Sequence, residues 1–301
     1  MCGIVGLFLK DRTLSARLGE LLTPMLASMS DRGPDSAGFA VYGEGRAGVV
    51  RITLQSATGG EPAFELVLEG LTAALETHVQ ELIRANHCVL TLPASAREAA
   101  LAWLARSAPH LHVTGVGQRI EIYKDVGLPT EVAARFELST MRGTHAIGHT
   151  RMATESAVTT SGAHPFSTGM DQCLVHNGSL SNHNSLRRTL VHDGFAFDTE
   201  NDSEVAAAYL TWRMRQGLDL GGALEAALDD LDGFYTFVVG TESGFGVLRD
   251  PIACKPAVMA ETDDYVAFGS EYRALVDLPD IGTARVWEPE PAKAYFWTHA
   301  R

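Results

Sequence analysis

The chain has 301 residues, 46% of them hydrophobic and 20% charged, with a formal net charge of −13. Length and composition suit a globular protein with a sizeable core, and the acidic balance argues against a nucleic-acid surface, which needs clustered Lys and Arg. No run of about eighteen apolar residues is present, and the N-terminus lacks the basic and long apolar regions of a signal peptide, so neither a membrane span nor secretion is expected.

Four cysteines, Cys2, Cys88, Cys173 and Cys254, lie far apart with no C-x-x-C spacing. The pattern excludes an ordinary zinc ribbon and is unlike a disulfide framework, which makes a reducing cytoplasm the expected compartment.

The chain opens with MCGIVG, and the apolar run IVGLFL predicts a strand. With Met1 removed, Cys2 carries a thiol and a free α-amine on one carbon. Their ordinary pKa values are about 8.5 and 7.7–8.0, so moving the proton from sulfur to nitrogen costs only about 1 kcal/mol. The amine can then act as the nucleophile's own base. With Met1 attached the nitrogen is an amide, so this chemistry requires methionine removal. The plainer reading is a buried cysteine that follows the start codon.

Residues 14–30 place Leu18, Leu21, Leu22, Met25, Leu26 and Met29 at helical spacing. The loop DRGPDSAG follows, and AGFAVYG and RAGVVRITL read as strands. From 59 to 138 the pattern is helix (Phe64, Leu68, Leu71, Leu75 and Leu82 on one face), strand HCVLTL, helix AREAALAWLARS, strands LHVTGV and RIEIYK, and a short helix. This stretch holds no titratable cluster and is expected to be an α/β insertion within one domain spanning 1–301. Strands HAIGHTR and QCLVHNG come next, then helices over 186–192 and 203–216 and a third ending near Leu228. The last third is mostly strand: FYTFVVG, FGVLRD, YVAFGS, ARVWEP and KAYFW. Helices near the middle and strands at both ends predict stacked α+β layers rather than alternating βαβ units.

Four features could carry chemistry. Asn177-Gly178 is a common hairpin-turn signal, yet an amide beside an unhindered backbone N–H also suits an oxyanion hole. Arg151 in GHTRMAT is a surface arginine or a two-bond clamp on a carboxylate. Asn201 can cap a helix, with Glu204 as its capping-box partner and Asp202 favoured at the positive helix end. A carboxylate there could equally hold an ammonium group. His145, His149, His164, His176 and His183 raise a metal hydrolase as an alternative, but HAIGHTR reads as a strand and no H-E-x-x-H is present.

Taken in order, CGIVG, DRGPDSAG, GHTRMAT, HPF, VHNG, NDSE and RDPIACKP resemble the glutaminase domain of the class II glutamine amidotransferases. These are N-terminal-nucleophile hydrolases with a four-layer αββα sandwich, two antiparallel sheets between helices. The resemblance covers the chain outside 59–138. It implies that Cys2 attacks the glutamine carboxamide and that Asn177 and Gly178 form the oxyanion hole. Arg151 would clamp the substrate α-carboxylate with Thr154 beside it, and Asp202 would hold the α-ammonium. His164 would line the glutamine pocket, and Arg32 in RGPD would belong to a loop beside the nucleophile. Met152 is a departure, since the sugar-transferring branch carries tryptophan after the arginine.

The sequence shows no P-loop, no G-x-G-x-x-G and no second catalytic constellation for a nitrogen acceptor. The stretch GHTRMATESAVTTSGAHPF looks most like the free-standing amidotransferase subunits related to glutamate synthase, including the small subunit of N-methylglutamate synthase. That likeness implies L-glutamine as substrate, no cofactor in this chain, and separate synthase subunits carrying FMN and an iron–sulfur cluster as partners in a hetero-oligomer. The alternative is a non-catalytic structural or regulatory subunit that keeps the fold and retains Met1.

Overall fold

Every residue of the first strand, β1 (Gly3–Leu9), is buried. Side chains alternate along a strand, so Ile4 and Phe8 enter one core while Val5, Leu7 and Leu9 enter another. That two-faced burial explains why the segment reads as a continuous apolar run. A computed structural model describes residues 2–57, 62–153 and 158–299. Met1 and the expected site residue Thr154 lie outside them.

After β1 come a 3-10 segment (Arg12–Arg17) and α1 (Leu18–Ala27), then β2 (Ser36–Tyr42) and β3 (Val49–Ser56). Next are α2 (Pro62–Leu75), β4 (Gln80–Arg84), β5 (His87–Pro93), α3 (Arg97–Ser107), β6 (Leu111–Gly117), β7 (Ile120–Val126) and α4 (Pro129–Arg135). β8 (His145–Arg151), β9 (Phe166–Gly169) and β10 (Gln172–Leu180) lead to three helices, α5 (His183–His192), α6 (Asp202–Arg215) and α7 (Leu220–Asp230). The rest is strand: β11 (Gly233–Gly240), β12 (Gly244–Arg249), β13 (Val258–Glu261), β14 (Tyr265–Gly269), β15 (Arg285–Trp287) and β16 (Ala294–Thr298).

These strands form a seven-stranded sheet in the order β15-β13-β14-β1-β8-β2-β7 and a five-stranded sheet in the order β16-β12-β11-β10-β9. Pairing in both is antiparallel. Ile4, Phe8 and Ile147 of the first sheet meet Val175, Val238 and Phe245 of the second in the central core. Leu18, Leu22 and Leu26 of α1 and Val132 of α4 cover the far face of the seven-stranded sheet. Val205, Tyr209 and Leu224 from α6 and α7 cover the far face of the other. The result is the αββα sandwich that the motifs imply.

A third sheet, β4-β5-β3-β6, packs against α2 and α3 around its own core of Ile52, Leu54, Phe64, Leu71 and Leu90. Its membership differs from the 59–138 stretch. β3 lies upstream of that stretch. β7 and α4 lie within it, yet β7 pairs with β2 along Ser36–Tyr42 and sends Ile120 and Ile122 into the central core. Leu82 also departs from expectation. α2 ends at Leu75, and Leu82 sits on β4, 43% exposed. Among the described residues no helix is long and apolar enough to cross a membrane.

The sheets close tightly at Gly6, where an added Cβ would sit 2.7 Å from the Phe245 ring. Gly6→Ala is expected to overpack this core and cost about 1–3 kcal/mol, read as a lower urea midpoint at unchanged slope. A midpoint equal to that of the parent protein would contradict the contact.

Candidate active site

Strand register brings the expected residues to one end of the sandwich. Gly3 pairs with Thr150, which sets Arg151 at the end of β8 beside Cys2 at the start of β1. Gly33 packs on this join, since an added Cβ would meet the Thr150 carbonyl carbon at 2.4 Å. From the facing sheet β10 supplies His176, Asn177 and Gly178, and α6 begins with Asp202 and Ser203. Cys2, Arg151, His164, Gly178 and Asp202 all line one cleft of about 870 Å³, and Met152 and Phe234 also face it.

The Asn177-Gly178 pair is not a turn. It lies within the nine-residue β10, with Asn177 opposite Thr236 and Gly178 opposite Tyr235. Glycine is needed because φ is +151° and an added Cβ would lie 1.9 Å from the Phe234 carbonyl oxygen. Asn177 crosses between the sheets. Its Nδ2 donates to the Cys2 carbonyl at 3.1 Å and to Ser270 Oγ at 3.3 Å. Its Oδ1 lies 3.1 Å from His149 Nε2, which is also 3.1 Å from the His176 carbonyl. With two oxygens before it, His149 Nε2 must carry the proton, and this fixes which way the Asn177 amide points.

Arg32 holds Cys2 from the other side. It is buried, donates from Nε to the Cys2 carbonyl at 3.0 Å, and pairs with Glu271 at 2.6 Å. The Arg32 hydrogen bond is the largest of the effects that lower the Glu271 pKa below its ordinary value. Cys2 itself is half-buried, its Sγ 3.9 Å from the Met152 carbonyl. Asp35, in the same loop as Arg32, accepts the Ala153 N–H at 2.8 Å and so shapes the segment after Arg151.

Asn201 caps α6 through the Ser203 N–H at 2.9 Å. The expected capping box is only half formed. Glu204 takes the Asp198 and Thr199 N–H groups, each at 2.8 Å, and the Asn201 N–H goes to Thr199 Oγ1. This buttresses the loop in front of the helix, and leaves Asp202 to accept the Leu180 N–H at 2.8 Å on the cleft side. A guanidinium and a carboxylate lining one cleft match the two ends of a zwitterion, and a thiol lies beside them.

Three of the five histidines cluster at this cleft, His164 and His176 lining it and His149 behind them. His149 and His164 stack at 4.0 Å, and His164 Nε2 and His176 Nδ1 each lie 2.9 Å from Ser203 Oγ. His145 instead stacks on Tyr42, and His183 bonds the Leu180 carbonyl. Among the described residues no group of three or more His, Cys, Asp or Glu is placed to hold a metal. Asp35, Ser270, Glu271 and Ser203 were not anticipated. Only Asp35, inside the loop DRGPDSAG, and Ser203, inside NDSE, have a sequence signal.

Burial pushes His87, His145 and His149 down to about 3, and His176 to about 4. Burial likewise holds His164 well below its ordinary value. These rings are neutral in the folded chain, whereas an unfolded histidine takes a proton below about 6.5. Their contribution to stability is complete above that pH and is lost as the pH falls toward 4, by up to about 1.4 kcal/mol per pH unit for each ring. A markedly lower urea midpoint at pH 5 than at pH 7 is the expected result. Equal midpoints would contradict the neutral cluster.

Comparison with known proteins bears on the family and the fold. A family described as the glutamine amidotransferase domain matches residues 149–277. The chain is 62% identical over 302 residues to the glutamine amidotransferase-like protein GlxB of Rhizobium meliloti (strain 1021), covering 100% of this chain and 99% of that one. It is 31% identical over 168 residues to an amidophosphoribosyltransferase of Methanocaldococcus jannaschii, covering 55% of this chain and 36% of that one. The fold superposes on the glutamine phosphoribosylpyrophosphate amidotransferase of B. subtilis with a TM-score of 0.62 at 21% identity, over 99% of this chain and 47% of that one. The chain thus spans about half of that protein's length, and the likeness bears on the fold alone. Motif order, αββα layering and full-length identity together place this chain in the class II glutamine amidotransferase family.

Proposed function

We propose that the chain hydrolyses L-glutamine through a γ-glutamyl thioester on Cys2. The observation that supports this best is the convergence on one cleft of Cys2, Gly178, Arg151 and Asp202, with the Asn177 amide on the Cys2 carbonyl. In this reading Met1 is removed and the free α-amine takes the Sγ proton. The sulfur attacks the carboxamide carbon, and the oxyanion accepts hydrogen bonds from the Gly178 N–H and from Asn177 Nδ2, which gives up its longer bond to Ser270 Oγ. As the carbon–nitrogen bond breaks, the α-ammonium passes its proton to the departing nitrogen and ammonia leaves. Water then adds to the thioester, losing its proton to the same amine, and glutamate and the thiol are released.

Arg151 takes the substrate α-carboxylate in a two-bond geometry and Asp202 takes the α-ammonium, which together select glutamine over simple amides. Thr154 is given a supporting role from the motif GHTRMAT alone. His164 lines the pocket as a neutral ring, and Arg32 holds the nucleophile's backbone. The ammonia passes to separate chains of a glutamate-synthase-like or N-methylglutamate synthase complex in the cytoplasm. FMN and an iron–sulfur cluster belong to those partners. The support for this assignment is the wording of GHTRMATESAVTTSGAHPF.

Cys2→Ala is expected to cut glutamate release roughly a thousand-fold or more, and Asp202→Asn to raise KM for glutamine about ten-fold with kcat within a few-fold. Glutamate release surviving in Cys2→Ala contradicts the thioester. A loss confined to kcat in Asp202→Asn contradicts its binding role.

A further inference from the structure

Lys124 is a buried lysine that the proposed chemistry leaves unused. It lies on β7, the edge of the seven-stranded sheet, and is only 6% exposed. Among the described residues no carboxylate lies within ion-pair distance of it. Its three N–H groups instead meet three backbone carbonyls of one short segment: Ser161 at 3.2 Å, Ala163 at 2.9 Å and Pro165 at 3.4 Å. The Phe166 ring lies 4.7 Å from the ammonium. An apolar side chain would satisfy a sheet edge at lower desolvation cost, so the charge must serve the carbonyls.

That segment forms one wall of the cleft. Ser161, Gly162 and His164 all line it. Gly162 lies against the arginine, because a Cβ there would be 3.5 Å from Arg151 Nη1. The segment also presses on β2, since a Cβ on Gly38 would meet the His164 carbonyl oxygen at 2.2 Å and the Lys124 Cβ at 2.5 Å. The next residue of β7 adds a second tie, with Asp125 Oδ1 accepting from Thr160 Oγ1 at 2.8 Å. We propose that Lys124 is a positioning residue that fixes this wall, and through Gly162 the Arg151 guanidinium, by holding the 161–165 carbonyls to the sheet edge. The inference rests on the glutaminase reading for its kinetic consequence, not for its structural one. Burial pushes the Lys124 ammonium down to about 8, opposed by the nearby carboxylates of Glu204 and Asp198, so the charge is present at pH 7.

The test uses the full chain and two variants, Lys124→Met and Lys124→Arg. An adjoining cavity of about 40 Å³ gives a guanidinium room. Lys124→Met should raise KM for glutamine about ten-fold with kcat within about three-fold. Amide hydrogen exchange should quicken over residues 158–165 and not elsewhere, and Lys124→Arg should restore both readouts substantially. Unchanged KM and exchange in folded Lys124→Met overturns the proposal. So does exchange that quickens throughout the chain, or failure of both variants to fold, since Lys124 then supports the fold and not the wall. If the parent protein releases no glutamate, the glutaminase reading fails while local exchange still decides the role of Lys124.

Discussion

One side-chain amide joins the two sheets where the chain begins. Asn177 on β10 donates across to the Cys2 carbonyl, and its oxygen is held by His149 on β8. Each partner is specified by another: His149 by the His176 carbonyl, Cys2 by Arg32, and Arg32 by Glu271. A side-chain amide with its two ends reversed would present oxygen where a donor is needed. The protonated Nε2 of a neutral histidine prevents that reversal without adding a charge. This chain commits seven buried or half-buried groups (Asn177, His149, His176, Ser270, Arg32, Glu271 and Cys2) to one point.

The wider fold serves the same point. Antiparallel register pairs Gly3, the first residue of β1, with Thr150 and so brings Cys2 beside Arg151, the last residue of β8, while the inter-sheet core sets the facing strand at the distance the Asn177 amide spans. The helix layer adds the carboxylate end of the cleft through α6, whose cap and buttress use Asn201 and Glu204 and free Asp202 to face inward. Another wall comes from a segment anchored on the outermost strand of the larger sheet.

Much of this was legible in the sequence, and the failures have physical causes. The apolar run of β1 reads as a strand because both faces are buried, and the order of the motifs carries the family and its sandwich. Asn177-Gly178 looked like a hairpin turn because turn preference is a local property. The need for glycine there comes from the Phe234 carbonyl, more than fifty residues away in the chain. The third sheet and the 59–138 stretch differ in membership because periodicity identifies a strand but not which sheet it joins, and β7 pairs with β2. His149 looked like one of several possible metal ligands, and only its distance to Asn177 gives it another task. Lys124 had no sequence signal, since its partners are backbone carbonyls.

The role proposed for Cys2 is that of an N-terminal nucleophile. Its most direct test is the intact and peptide mass of the active protein before and after reaction with a diazo-ketone analogue of glutamine. The expected result is a chain that begins at Cys2 and gains a single adduct on that residue. An active chain that retains Met1, or an adduct on any other residue, would contradict it.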